Sequence, residues 1–104
     1  MVKKYVFDCN SNYWSSDPWY NFLFLKSREQ YYHDRITYYG FVPLFTVLED
    51  LGFKPKESDL KYVLDESDGF IDFRISDQAP RSKGRPKKKF TIYLKVRPIN
   101  EEEV

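Results

Sequence analysis

Cysteine occurs once in the chain, at Cys9, so no intrachain disulfide can form and nothing in the sequence favours an oxidising compartment. Histidine also occurs once, at His33. Neither residue has a partner at C-x-x-C or H-x-x-x-H spacing, which argues against a zinc site, and no cofactor is implied. No apolar run approaches the roughly 20 residues that a membrane-spanning helix requires. Met1-Val2-Lys3-Lys4-Tyr5-Val6-Phe7-Asp8 places only three apolar residues between its lysines and the first acid, too few for a signal-peptide core. A large net charge is missing as well. With 17 basic and 16 acidic residues the formal balance is +1, which argues against a surface generally coated by nucleic acid or membrane.

What the chain does have is length for one core and many rings to fill it. Its 104 residues suit a single domain, predicted over residues 1–100, with 101–104 an acidic, solvated tail. Aromatic residues make up 19% of the chain, nine Tyr and nine Phe among them, so much of the buried area is expected to be aromatic. The charge is unevenly spread. Six of the 17 basic residues (Arg81, Lys83, Arg85, Lys87, Lys88 and Lys89) fall within nine positions, and the rest of the domain is acidic by difference.

Local signals predict the elements. Residues 3–8 read as a strand with Tyr5 and Phe7 on one face. Asp17 and Pro18 form a helix start, and a helix from there to about Tyr38 stops at Gly40. Its expected buried stripe is Phe22, Leu25, Tyr32, Ile36 and Tyr39, flanked by Trp19 and Leu23. Pro43 can open a second helix ending at Gly52, in which Leu44, Val47, Leu48 and Leu51 repeat at i, i+3, i+4 and i+7. Tyr62 to Asp65 and Phe70 to Ser76 are expected to form a hairpin about the turn Glu66-Ser67-Asp68-Gly69, with Ile71, Phe73 and Ile75 on one face. Phe90, Ile92, Leu94 and Val96 alternate with polar residues as in a half-buried strand that Pro98 ends. These elements predict an α+β fold, two helices packed on a three-stranded antiparallel β-meander with a possible added N-terminal strand, and a basic loop, residues 77–89, between the last two strands.

The stretch Glu29 to Gly52, with Tyr31, Asp34-Arg35-Ile36, Gly40-Phe41-Val42, Leu44, Val47 and Leu51-Gly52-Phe53, resembles a family of small siphovirus-type phage and prophage proteins that bring no known activity. Gly69-Phe70-Ile71-Asp72-Phe73 and the closing strand Phe90 to Ile99 are similar to the same family. The resemblance implies a viral or prophage origin and an α+β fold and transfers no catalytic residue; with the reducing cytoplasm that the lone Cys9 suggests, the expected location is the cytoplasm of a bacterial host. Phe45-Thr46 stands where that family has a polar Asn-Asp pair, and Arg74 where it has a small residue. The basic segment lies outside the resemblance.

Within that segment, Lys83, Gly84, Arg85, Pro86 and Lys87 resemble an AT-hook. A slim, extended Gly-Arg-Pro backbone suits the narrow minor groove of A·T-rich DNA, where negative potential is concentrated. Lys83 stands in place of the usual Arg. The same nine residues, Arg81 to Lys89, could equally contact an acidic protein surface, or simply expose charge on a hairpin loop and suppress edge pairing. Other constellations are weaker. His33 and Asp34 diverge by about a hundred degrees on a helix and form no dyad. Asp65 to Gly69 cannot be an EF-hand, since Leu64 and Ile75 would fall on the first and twelfth ligand positions. The second helix carries Glu49 and Asp50 and no cation, which argues against a helix-turn-helix. Tyr31, Tyr32, Tyr38, Tyr39 and Phe41 mix core positions with exposed ones, and Tyr31 and Tyr38 are candidate anchors for a protein interface. The expectation is a non-enzymatic protein that binds a macromolecule. Nucleic acid through the basic loop stands beside two alternatives, a module that modulates a host or phage protein and a virion or assembly component.

Overall fold

A computed structural model describes residues 1–65, 71–80 and 88–99 of the chain. Its longest element, α1 (Pro18–Tyr39), begins where the Asp17 carboxylate accepts the Trp19 N–H at 3.0 Å and Pro18 takes the first helical position. It ends at Gly40, whose φ of 95° is left-handed and whose N–H closes on the Ile36 carbonyl. Leu25, Tyr32 and Ile36 are buried as the spacing requires, and Phe22 packs at the margin of the core. Tyr39 is not: it is the last residue of the helix, beyond the elements that cover the stripe, and is 64% exposed. Trp19 and Leu23 are exposed too. The stripe is completed instead by Asn21, fully buried one turn before Leu25. Its amide donates to the Ser15 carbonyl at 2.7 Å and accepts the Ser15 N–H at 2.8 Å, so both polar groups are satisfied and the preceding loop is pinned to the helix.

A short strand β2 (Phe41–Pro43) leads directly into α2 (Leu44–Asp50), in which Leu44, Val47 and Leu48, with Leu51 just beyond, all reach the core. A 3-10 turn, Glu57–Lys61, then delivers β3 (Tyr62–Asp65). At the far end of the chain β4 (Lys89–Lys95) pairs antiparallel with β1 (Val2–Asp8), from Val2 opposite Lys95 to Asp8 opposite Lys89. The ladder continues one step further, since Val96 N–H donates to the Met1 carbonyl and the Met1 amino group donates to the Val96 carbonyl. Beyond Val96 the chain enters β5 (Arg97–Pro98), which pairs with β3. One C-terminal run therefore serves two sheets, β1–β4 and β2–β3–β5.

The fold is α+β as expected, but its connectivity is not the simple meander. β3 is paired on both edges, by β2 and by β5, and residues 71–75 form no strand. The alternation there is still correct in burial: Phe73 and Ile75 are buried, and Ile71 packs against the core. What differs is the backbone's partners. Phe73 N–H donates to the Glu29 carboxylate at 2.7 Å, Arg74 turns the chain with a φ of 59°, and the Phe73 carbonyl accepts from Tyr93 N–H. Gln78, in the 3-10 turn Ser76–Gln78, then uses its side-chain amide as a strand would use its backbone. It accepts the Thr91 N–H at 2.9 Å and donates to the Thr91 carbonyl at 2.8 Å. The expected turn at Glu66 to Gly69, together with Phe70, lies outside the described residues, as do Arg81 to Lys87 and the acidic tail.

Among the described residues two glycines have left-handed φ, and their surroundings separate them. A Cβ on Gly52, φ 85°, would sit 2.2 Å from Ser11 Oγ, which is buried and donates to the Leu51 carbonyl at 2.8 Å; at Gly40 nothing lies within 4 Å. Gly52→Ala should therefore destabilise by about 2 kcal/mol or more, adding a clash to the conformational penalty, whereas Gly40→Ala should cost only about 1 kcal/mol. Urea unfolding of the two variants measures the difference directly.

Candidate interaction face

Along one flank of α1 the side chains of Phe24, Arg28, Tyr31, Arg35 and Tyr39 recur at i+4, i+3, i+4 and i+4, and so stack above one another. The Arg28 guanidinium lies over the Phe24 ring at 5.7 Å and over the Tyr31 ring at 5.4 Å. Arg35 reaches Tyr31 from the following turn at 5.7 Å and Tyr39 at 5.1 Å, and its Nη1 donates to the Tyr31 hydroxyl at 3.2 Å. Tyr13 extends the row at one end by stacking on Phe24, and Tyr38 at the other by meeting Tyr39 edge-on. Rings and guanidiniums thus alternate along most of the helix. Each contact contributes about 0.5–1 kcal/mol at a surface of this kind, so the two contacts of each arginine offset much of the roughly 2 kcal/mol of rotamer entropy its side chain gives up.

The row is also electrostatically unfinished. Neither Arg28 nor Arg35 forms an ion pair among the described residues, where such pairs join Lys3 to Asp59, Lys26 to Glu29 and Arg97 to Asp65. Arg35 Nε is shielded from water without a hydrogen-bond partner among the described residues. Tyr31 and Tyr38, the two tyrosines singled out from sequence, both belong to this flank, 40% and 84% exposed. Arg35 lies between them and Arg28 one turn before Tyr31, and neither arginine is picked out by a periodicity read for apolar residues, although the spacing of both with the aromatics is there to be noticed. Tyr32, one residue from Tyr31, faces inward. It is fully buried and its hydroxyl donates to Asp50 Oδ2 at 2.9 Å. Burial first, and the carboxylate second, push its hydroxyl pKa far above the ordinary value.

Of the basic segment only Lys88 and Lys89 are among the described residues. Both are exposed at the entry to β4, with Lys89 opposite Asp8, whereas Arg81, Lys83, Gly84, Arg85, Pro86 and Lys87 lie outside the described residues. Along the sequence the segment lies between the turn Ser76–Gln78 and β4, whose strand partner is β1.

Asp59 is the most deeply placed charge. Its carboxylate accepts from Lys56 N–H at 2.7 Å, from Lys3 Nζ at 3.1 Å and from the Tyr5 hydroxyl at 3.1 Å. Burial pushes its pKa up, but these donors outweigh that effect and hold the carboxyl below its ordinary range. Tyr5 is displaced upward, by burial and by the adjacent Asp59. With every oxygen occupied by a donor that ties β1 to the turn before β3, Asp59 performs structural work. Among the described residues no group of three His, Cys, Asp or Glu is arranged to hold a metal ion.

Comparison with known proteins finds no matching family model, no matching curated protein and no matching solved structure.

Two predictions follow from these environments. Tyr32→Ala should destabilise by about 3–5 kcal/mol, whereas Tyr31→Ala should cost less than about 1 kcal/mol, because one empties the core and the other only shortens the row. Denaturant titration distinguishes them. For Asp59 the folded pKa lies below the unfolded one, so its stabilisation is complete above about pH 4 and is lost as the pH falls through the folded value. Asp59→Asn should be about 1–3 kcal/mol less stable at pH 7, with the gap closing in acid, as a stability profile from pH 7 to pH 2 would show.

Proposed function

We propose that the protein is a non-enzymatic accessory protein of a phage or prophage, acting in the host cytoplasm by docking on a host or phage protein through the arginine and tyrosine flank of α1. The observation that carries this is the pre-ordered row from Phe24 to Tyr39. Tyr and Arg are the residues that most often concentrate binding energy at protein interfaces, and they do so best when little entropy is lost on contact. Here the rings and guanidiniums already hold one another. The unpaired charges of Arg28 and Arg35 favour a partner surface that presents carboxylates. Two guanidiniums over the Tyr31 ring also leave it poorly placed to stack on a nucleobase, which favours a protein over a single strand for this flank. The phage assignment rests on the sequence resemblance, and a virion or assembly protein is within the partner class proposed.

A second reading has its own support in the spacing of Lys83, Gly84, Arg85, Pro86 and Lys87: that segment inserts into the minor groove of A·T-rich DNA. The two are separated by paired measurements. Crosslinking in infected or induced cells, followed by titration of the purified partner, should give a complex that Tyr31→Ala with Tyr38→Ala weakens at least about tenfold and Arg85→Ala leaves unchanged. Labelled A·T-rich duplex, G·C-rich duplex and single-stranded DNA, titrated over a salt series, test the second. Tight A·T-selective binding lost in Arg85→Ala would place the activity in the basic segment instead.

A further inference from the structure

The two edges of the β1–β4 sheet are treated differently. Because Met1 and Val96 exchange both of their hydrogen bonds, the antiparallel alternation makes Lys3, Tyr5 and Phe7 the residues of β1 that bond to β4. On β4 the complementary residues, Thr91 and Tyr93, point to the opposite edge, where Gln78 and the Phe73 carbonyl meet them. On β1 the complementary residues are Val2, Lys4 and Val6. Their N–H and C=O groups point to the outer edge and have no partner among the described residues.

That edge does not face open solvent alone. Two adjoining clefts, of about 490 and 520 Å³, lie along it, one lined by Lys3 to Tyr5 and the other by Val6 and Asp8. Both share Phe53 and Lys54 as their other wall, and the Phe53 ring lies 5.7 Å from Tyr5 and 6.3 Å from Phe7, forming a floor beneath the strand. Three exposed lysines without ion-pair partners among the described residues, Lys4, Lys54 and Lys56, line the first cleft.

We propose that the free edge of β1 and the wall at Phe53 to Lys56 form a groove that takes an extended acidic peptide segment of a partner protein as an added strand, with Lys4, Lys54 and Lys56 receiving its carboxylates. An edge that alternates donors and acceptors is matched by another peptide backbone. A phosphodiester chain offers acceptors only and leaves the Lys4 and Val6 carbonyls unmet. A second copy pairing antiparallel about Lys4 would set Lys4 against Lys4 and bring the other lysines of both copies together, a like-charge contact that disfavours self-association. This groove is distinct from the flank of α1 and stands or falls without it.

The test uses the full chain and a fluorescein-labelled heptapeptide alternating valine and glutamate, with the valine and lysine counterpart and an oligothymidylate as comparators. The acidic peptide should bind at low salt at least about tenfold more tightly than either comparator. Lys4→Glu with Lys54→Glu should reverse the preference. Val6→Pro removes a donor from the free edge without touching the bonds to β4, so it should abolish binding while thermal unfolding stays cooperative. In the wild type, bound peptide should slow amide hydrogen exchange at Lys4 and Val6, a readout that needs no variant. No binding of the acidic peptide, or binding that leaves those amides unprotected, overturns the proposal, and tighter binding of oligothymidylate assigns the lysines to phosphate instead.

Discussion

Phe7 and Phe90 stand opposite one another in the β1–β4 ladder, and both are fully buried. Around Phe7 gather Trp14 from the loop after β1, Phe24 from α1 and Phe53 from the segment after α2; Trp14 and Phe22 pack on Phe90. The loop after β1, α1 and the segment after α2 therefore each touch a ring held in place by this ladder. The pairing joins residues 2–8 to residues 89–95, nearly the full span of the sequence. Closing so long a loop costs only slightly more entropy than closing one of half the length, but pairing of this range slows folding. Since β4 continues through Val96 into β5, loss of the ladder would also release the edge of the second sheet.

The far edge of β4 is covered without a strand, by the Gln78 side chain at Thr91 and by the Phe73 carbonyl at Tyr93. Glu29 takes the Phe73 N–H, and Gln78 reproduces both bonds of a strand residue at Thr91. This arrangement accounts for why an alternating pattern at Ile71, Phe73 and Ile75 is right about burial and wrong about conformation. Period two reports which residues face the core, and an irregular segment bonded to carboxylate and amide side chains satisfies that requirement as well as a strand does.

Elements set by neighbouring residues were legible in the sequence: both ends of α1 from Asp17, Pro18 and Gly40, α2 from its four leucine and valine positions, β1 and β4 from alternation. Those set by distant residues were not. Nothing local indicates that β3 lies between β2 and β5, because each of those strands is too short to carry a pattern of its own. Asn21 was hidden by its chemistry, since a buried amide is acceptable only once Ser15 is known to satisfy it. The helix period extends to Tyr39, but the core does not extend with it. At the candidate interface Tyr31 and Tyr38 were visible as exposed anchors, while Arg28 and Arg35 were not, because a periodicity read for apolar residues passes over the cations stacked between them.

Charge distribution shows the same gap between local and global information. A formal +1 suggests a surface of balanced sign, and subtracting the segment Arg81 to Lys89 suggests an acidic body. At contact range, within a screening length of about 10 Å at 0.1 M salt, what matters is which charges still have unfilled hydrogen-bonding capacity. Asp17, Glu29, Asp50, Asp59 and Asp72 each accept at least one internal hydrogen bond, and Asp65 is paired with Arg97. Lys4, Lys54, Lys56, Arg28 and Arg35 have no ion pair among the described residues. Among the described residues most carboxylates thus accept bonds that hold the fold. Among the described residues the charges without an internal ion pair are mostly cationic, which supports the acidic partner proposed above.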